Sequence, residues 1–355
     1  MPSVLVAMSG GVDSSVAACL LQEQGYDVLG SHMRLVHLDS VDHGCCGPSA
    51  RRDAAETARI AGFPFEICDL TEEFDRTVLA DFATEHEAGR TPNPCARCNG
   101  EIKFGAFLRR ADALGIDMVA SGHYVRRAGD EAGWRLLRGV DRAKDQSYML
   151  HMLGQRALAR SLFPVGELPK AETRALAERF GLPVATKPDS QELCFAPSGD
   201  AGAYARANLP HLVRDGEVVD PAGALLGRHD GAFSFTIGQR RGTGVATGER
   251  RYVVDVDPTA NRVVVGAVEL LDRRGLVADR FSWIVGEAPG PGPFEAEVRI
   301  RSHGDDVPCV AEPLGEDRVR VEFRSPQRAV APGQSAVLYV GDEVLGGGRI
   351  VEAIR

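Results

Sequence analysis

Three short stretches of the chain carry residue types at spacings that can do chemistry. The first is Ser9-Gly10-Gly11-Val12-Asp13-Ser14, which follows an apolar run, includes Ala7 and Met8 at its entry, and opens a helical segment. Backbone N–H groups at a helix start attract phosphate, and glycines let it approach closely. The lysine of the G-x-x-x-x-G-K-[ST] loop is missing here, so a different nucleotide loop is expected. Asp13 is the natural Mg²⁺ partner, because Mg²⁺ prefers one or two carboxylates together with phosphate oxygens.

The second stretch is Thr91-Pro-Asn93-Pro94-Cys95-Ala-Arg97-Cys98-Asn99, a C-x-x-C between prolines and helix. Zinc would need a second ligand pair at suitable spacing. Cys45 and Cys46 are adjacent, with no nearby His pair at finger spacing, so zinc is the lesser reading. A cysteine at a helix N-terminus has a depressed pKa, which suits Cys98 to act as a thiolate nucleophile, with Arg97 and Lys103 adding to the effect. The third stretch is Asp189-Ser-Gln-Glu-Leu-Cys194-Phe195. Taken alone, a cysteine beside a phenylalanine is a packing residue.

Elements must hold these stretches in place. The first half alternates strand and helix: strands at Ser3–Met8, Asp27–Met33, Phe65–Leu70 and Asp117–Ala120, helices at Ser14–Gln24, Pro48–Ala61, Thr71 to about Ala88, and Ile102–Leu114. Thr71 is the expected cap of the third helix. This alternation predicts a parallel sheet with helices on both faces and a ligand edge at the carboxyl ends of the strands. Residues 145–180 read as helical. After about Ala205, β-branched runs recur between Gly, Asp and Pro turns: Glu217–Val219, Phe233–Thr236, Arg251–Val256, Arg262–Val265, Phe294–Ile300, Arg318–Phe323 and Ala336–Val340. That pattern predicts small β domains. The expected division is 1–205, 206–278 and 279–355.

Composition narrows the function classes. With 41 Lys and Arg against 50 Asp and Glu, the net charge is −9. This disfavours non-specific nucleic-acid binding but leaves room for a local basic groove. No apolar run approaches the roughly 20 residues of a membrane helix, and no signal peptide is visible, so a cytoplasmic protein without membrane contact is expected. Eight cysteines in a chain of 355 residues, read in a reducing cytosol, argue against a disulfide framework. Cys19 and Cys68 lie in apolar periodic segments and read as buried.

Together the motifs resemble a known family. The phosphate loop resembles the PP-loop of ATP pyrophosphatases. In order and spacing, Ser9–Ser14, Met33-Arg34-Leu35, Thr91–Phe104, Ser121-Gly122-His123-Tyr124, Lys144–Tyr148 and Asp189–Phe195 resemble the bacterial tRNA-specific 2-thiouridylases, as do Ile237–Gly242 and the stretches from Pro326 to Ile350. The resemblance implies a PP-loop type α/β domain, a small central β domain and a C-terminal β-barrel. It implies ATP on Ala7–Ser14, Met33 and Gly122; tRNA on Asn93, Pro94, Cys95, Lys144, Asp145, Gln146, Arg299 and Ile300; and catalysis by Cys98 with a persulfide on Cys194. The partners it implies are tRNAs for lysine, glutamate and glutamine, and a cysteine desulfurase or sulfur-relay protein as sulfur donor. Cys95 stands where some members carry an acid–base Asp. Three thiols, Cys95, Cys98 and Cys194, raise an iron–sulfur route as an alternative to the persulfide. A PP-loop ligase acting on a small carboxylate is a further alternative. The expected basic track for RNA is Arg240, Arg241, Arg299, Arg301, Arg324 and Arg328.

Overall fold

A computed structural model describes residues 1–37, 47–130, 133–189, 193–196, 201–245, 248–315 and 317–355. Strand β1 (Ser3–Ala7) is the centre of a parallel sheet. It lies between β2 (Asp27–Arg34) and β4 (Met118–Ser121), with β3 (Phe65–Asp69) and the two-residue β7 (Ser161–Leu162) at the edges. The pleat of β1 explains why both faces are covered. Val4 and Val6 point into one core with Ala18 and Leu21 of helix α1 (Val12–Glu23) and Ala54 and Ala58 of α2 (Pro48–Ala61). Leu5 and Ala7 point the other way, onto Phe104, Phe107, Leu108 and Ala111. Successive residues of a strand face opposite sides, so a wholly apolar run needs helices on both.

Two helical runs differ from simple α-helix. Run α3 (71–87) joins Thr71–Phe74, a π-turn at Asp75–Leu79, and Ala80–Glu87. Its cap is not Thr71. That residue is already helical, and Asp69 Oδ1 accepts from its N–H at 3.2 Å and its hydroxyl at 2.8 Å. Run α4 (94–114) begins at Pro94, about two turns before Ile102: Pro94–Cys98, a π-wound Asn99–Ala106, and Phe107–Leu114, closed by Gly115 at φ +67°. Residues 145–180 are less helical than expected. A 3₁₀ turn Ser147–Leu150, α5 (Gln155–Ala159) and β7 precede α6 (Lys170–Arg179).

Hairpin β5 (Val125–Asp130) and β6 (Gly133–Arg138) leaves the first sheet and joins the last one. After α7 (Ala201–Asn208), β8 (Gly216–Val219), β9 (Leu225–His229), β10 (Tyr252–Asp257) and β11 (Arg262–Gly266) form a four-stranded sheet. The expected strand at Phe233–Thr236 is instead a 3₁₀ turn, Ala232–Ser234, because Ala232, Phe233 and Phe235 are drawn into buried packing rather than a ladder. The final unit contains β12 (Asp272–Trp283), β13 (Phe294–Arg299), β14 (Val307–Pro313), β15 (Val319–Arg328), β16 (Ser335–Val340) and β17 (Glu343–Ile354). Pairing of β12 with both β15 and β17 closes it into a barrel, which removes exposed strand edges. No helix among the described residues is long and apolar enough to cross a membrane.

Candidate active site at the carboxyl edge of the first sheet

Strand order β3-β2-β1-β4-β7 reverses direction beside β1, and the crevice between β1 and β4 is where such a sheet takes ligands. The loop after β1 and Gly122 after β4 meet there. Gly10 has φ +70°, and a Cβ on it would lie 2.0 Å from the Ala50 carbonyl oxygen. A Cβ on Gly122 would lie 2.5 Å from the Ser14 nitrogen. Both positions therefore demand glycine. Ser14 ties the loop together: its hydroxyl accepts from Ser9 N–H at 3.1 Å, contacts Ser9 Oγ at 3.1 Å and donates to Gly11 O at 3.2 Å. Ser9 is exposed, while Ala7, Met8, Val12 and Ser14 are buried behind it. The result is a compact cradle of amides at the start of α1, suited to an anionic phosphate. Met33, at the end of β2, is half-buried on the same edge.

The lysine missing from the loop is supplied from a distance. Lys170, at the start of α6, places Nζ 2.7 and 2.8 Å from the two carboxylate oxygens of Asp13. The same Nζ is 2.8 Å from Asp189 Oδ1. Lys187 Nζ donates to Gly10 O at 3.0 Å and to Asp53 at 2.5 Å. Lys144 Nζ donates to Asp189 Oδ2 at 2.8 Å, and Arg174 reaches Asp189 and the carbonyls of Ala185 and Lys187. Its cation partners hold the Asp189 carboxyl below the usual carboxylate range despite its partial burial. The Tyr124 hydroxyl donates to Asp13 Oδ1 at 2.8 Å. Burial raises the pKa of this phenol, and the Asp13 charge adds to the rise, so Tyr124 stays a neutral donor. Beside Gly122, His123 Nδ1 is 2.8 Å from Ser121 Oγ. Burial holds its pKa well below the ordinary value and Lys103 lowers it further, so the ring is neutral.

This arrangement changes the expected metal site. Both Asp13 oxygens are engaged by an ammonium, so its charge is already met by Lys170. Among the described residues no three His, Cys, Asp or Glu side chains are grouped to hold a metal ion. Cys95, Cys98 and Cys194 therefore do not form the three-thiolate set that an iron–sulfur cluster needs. Cys95 is exposed, Cys98 buried and Cys194 half-buried. Cys45 and Cys46 lie outside the described residues.

Cys98 belongs to an apolar cluster against which Cys194 also packs. The cluster gathers Leu35, Phe74, Val78, Phe82, Cys98, Ile102 and Phe195. Cys98 is the fifth residue of its helical run, not the first. The dipole weakens beyond the first turn, and Arg97 is paired with Glu101 at 3.1 Å, so the expected activating charge is partly spent. Phe195 stacks edge-on against Phe82 and Tyr204, at 5.2 and 4.8 Å between centroids, which fixes the residue after Cys194. Cys19 and Cys68 are buried, and burial raises both thiols to about 11.

The expected RNA-contacting residues fall into two groups. Lys144 and Gln146 reach the surface, with Gln146 Oε1 accepting from Tyr124 N–H at 3.0 Å. Cys95 is exposed, and Asn93 caps its helix by accepting from Ala96 N–H at 3.2 Å. Pro94, Asp145 and Ile300 have their side chains inside the protein, and Arg299 nearly so. Arg299 binds Asp306 at 2.9 Å and Asp145 at 3.4 Å. Of the expected basic track, Arg324 pairs with Glu295 and Arg328 with Asp272. Arg301 donates to the Arg328 carbonyl. Arg240 and Arg241 are exposed and form no ion pair among the described residues. Lys170, Lys187 and Arg174 were not singled out by sequence. Isolated basic residues in a helix and a proline-flanked loop carry no local signal of what they will face.

Family models place these units. One described as a tRNA methyl transferase HUP domain matches residues 2–198. A tRNA methyl transferase PRC-barrel domain matches 209–267, and an aminomethyltransferase beta-barrel domain matches 273–350. A protein of Roseiflexus castenholzii named tRNA-specific 2-thiouridylase MnmA is 45% identical over 369 residues, covering 99% of each chain. The protein of the same name from Symbiobacterium thermophilum is 46% identical over 363 residues, covering 99% of this chain and 93% of its own. That from Chloroflexus aggregans is 46% identical over 356 residues, covering 99% and 98%. The domain descriptions name a methyl transferase, but the end-to-end relatives decide the matter: this chain belongs to the tRNA-specific 2-thiouridylase family.

Proposed function

We propose that this protein is an ATP-dependent tRNA sulfurtransferase that replaces the 2-carbonyl oxygen of a wobble uridine with sulfur. The observation that supports the reading is that two cysteines distant in sequence, Cys98 and Cys194, share one apolar cluster with Met33 and Leu35 at the carboxyl end of β2. A phosphate loop alone suits many ligases; a loop accompanied by two thiols on one cluster suits activation followed by sulfur transfer.

The 2-carbonyl carbon is a weak electrophile, and its oxygen leaves poorly. Transfer of AMP to that oxygen makes a good leaving group. The loop amides from Gly10 to Ser14 and the ammonium groups of Lys170 and Lys187 stabilise the charge that develops on pyrophosphate. Mg²⁺ bound with the triphosphate would supply further charge neutralisation, with Asp13 beside it. A donor such as a cysteine desulfurase or a relay protein leaves a persulfide on Cys194. The Cys98 thiolate attacks Cys194 Sγ, a Cys98–Cys194 disulfide forms, and hydrosulfide leaves. Hydrosulfide attacks carbon 2 and AMP departs. A dithiol reductant then returns two electrons to the disulfide. Disulfide formation needs Cα atoms roughly 5–6 Å apart, so the step requires that geometry at the moment of transfer. No step passes through Cys95.

The target base must leave the anticodon stack to reach this edge. We assign Asn93, Cys95, Lys144 and Gln146 to the RNA-facing rim. Pro94, Asp145, Arg299 and Ile300 support it from inside. Arg240 and Arg241 hold phosphates, and the tRNAs are those for lysine, glutamate and glutamine. The test is mass spectrometry of tRNA nucleosides after incubation with ATP, Mg²⁺ and a persulfide donor. 2-Thiouridine that appears only when all three are present supports the reading. Pyrophosphate release without RNA, and no thiouridine, replaces it with a small-substrate ligase.

A further inference from the structure

Asp189 stands at the head of the segment that carries Cys194, and four cations stitch its approach onto the phosphate loop. Arg174 clasps the carbonyls of Ala185 and Lys187 as well as Asp189. Lys187 holds Gly10 O, Lys144 holds Asp189, and Lys170 holds Asp13 and Asp189 at once. Among the described residues, Lys170 is the cation whose ammonium is shared between a loop carboxylate, Asp13, and Asp189. Its side chain is only 11% exposed, whereas those of Asp13 and Asp189 are 29% and 24% exposed. The ammonium is thus more covered than either of the carboxylates it bonds.

We propose that Lys170 is a positioning residue that couples nucleotide on the loop to the Cys194 segment by exchanging Asp189 for phosphate. The inference rests on the reading that ATP uses this loop. A triphosphate held on the Gly10–Ser14 amides brings multiple negative charges next to Asp13. It competes with Asp13 and Asp189 for the same Nζ. A lysine is suited to the exchange: its ammonium is a point charge with three rotatable donors on a flexible stem, unlike the planar fork of arginine. When Lys170 turns to phosphate, Asp189 loses one of its three cation partners, and the segment leading to Cys194 is held less tightly to the loop. Sulfur transfer is then favoured only once activation is under way, which protects a reactive persulfide from idle turnover.

The experiment measures the alkylation rate of Cys194, mapped by peptide mass spectrometry, in the full-length protein with and without a non-hydrolysable ATP analogue. In wild type the analogue raises the rate by about tenfold, the size of one charge-assisted hydrogen bond exchanged. Lys170→Gln and Asp189→Asn, each assayed at an analogue concentration that saturates it by equilibrium dialysis, label Cys194 at a rate that no longer depends on the analogue. A purely structural lysine would change the rate without removing its dependence on nucleotide. If both variants keep the full nucleotide response, the coupling is overturned while the thiolase reading stands. If wild type binds no analogue, the phosphate-loop reading itself falls, and the coupling with it.

Discussion

Two ionic networks in this molecule use the same kinds of pairs for opposite ends. At the phosphate loop the cations nearest the cradle are lysines, Lys144, Lys170 and Lys187, with side chains 11–38% exposed. At the seam between catalytic unit and barrel the cations are arginines. Arg138 and Asp145 have side chains 2% and 1% exposed, and Arg138 is 3.6 Å from Asp145 and 2.9 Å from Asp306. Arg138 also stacks on Tyr339, its guanidinium carbon 3.6 Å from the ring centroid. A planar fork pinned between a ring and two carboxylates locks a geometry. A lysine shared between carboxylates at an open edge can change partner. Position and amino-acid type together say which charges hold the fold and which are there to be displaced.

Breaking the seam should have the largest effect on stability. Asp145→Ala removes one of the two carboxylates that face the buried Arg138 and Arg299, and leaves Asp306 alone to meet both charges. The expected loss is about 3–5 kcal/mol in urea unfolding. A loss below about 1 kcal/mol would mean that the network is not the seam's anchor. Acid should weaken the same seam next. His151 lies fully buried there, with Nε2 3.1 Å from Ser335 Oγ, and burial lowers its pKa from 6.5 to about 4. The unfolded chain therefore binds the proton first. Stability should fall as pH drops from about 6.5 toward 4, by on the order of 2 kcal/mol between pH 7 and 5. Burial lowers His86, His123 and His229 as well, and they add to the fall with the same sign. His151→Gln should remove its share. Parallel pH profiles for variant and wild type would contradict the assignment.

At the loop the prediction reverses. Asp13→Ala should cost less than about 1 kcal/mol of stability, because its ion pair is partly solvated. It should nevertheless abolish ATP-dependent pyrophosphate release while tRNA binding stays nearly intact. Ser9→Ala should be milder, since backbone amides carry much of the phosphate contact. Full pyrophosphate release by Asp13→Ala would sink its role. The smallest effect is expected at Arg240 and Arg241. Each replacement by Ala should lower the slope of log affinity for tRNA against log salt by about 0.7–0.9. Unchanged slopes would remove them from the RNA track.

The same contrast explains what was legible in the sequence. Ser9–Ser14 could be read because strand, glycines and helix are contiguous, and helix Pro48–Ala61 because proline opens it and Gly62 closes it. The sequence pattern sets Cys98 just before a helix that starts at Ile102; the true start at Pro94 is obscured by the C-x-x-C and its prolines. Hairpin β5–β6 was missed: its sequence is short and mixed, and its partner is Glu343–Val344 of the barrel, far along the chain. Lys170 and Lys187 were invisible for the same reason. Their meaning lies in Asp13 and Gly10, which only the fold brings near. Arg299 and Ile300 were expected at the RNA. Pairing to Asp306 draws Arg299 inward, and Ile300, just past the end of β13, packs into the barrel core.

In the proposed reaction Cys194 accepts sulfur and Cys98 resolves it. The direct measurement is mass spectrometry of Cys98→Ser, Cys194→Ser and Cys95→Ser after incubation with a persulfide donor, ATP and tRNA, alongside thiouridine yield. Cys98→Ser should make no 2-thiouridine and should accumulate one extra sulfur atom on Cys194. Cys194→Ser should make none and still release pyrophosphate, while Cys95→Ser should keep substantial activity. A Cys98→Ser protein that still forms 2-thiouridine, or an inactive Cys95→Ser protein whose wild type carries iron, would contradict the account.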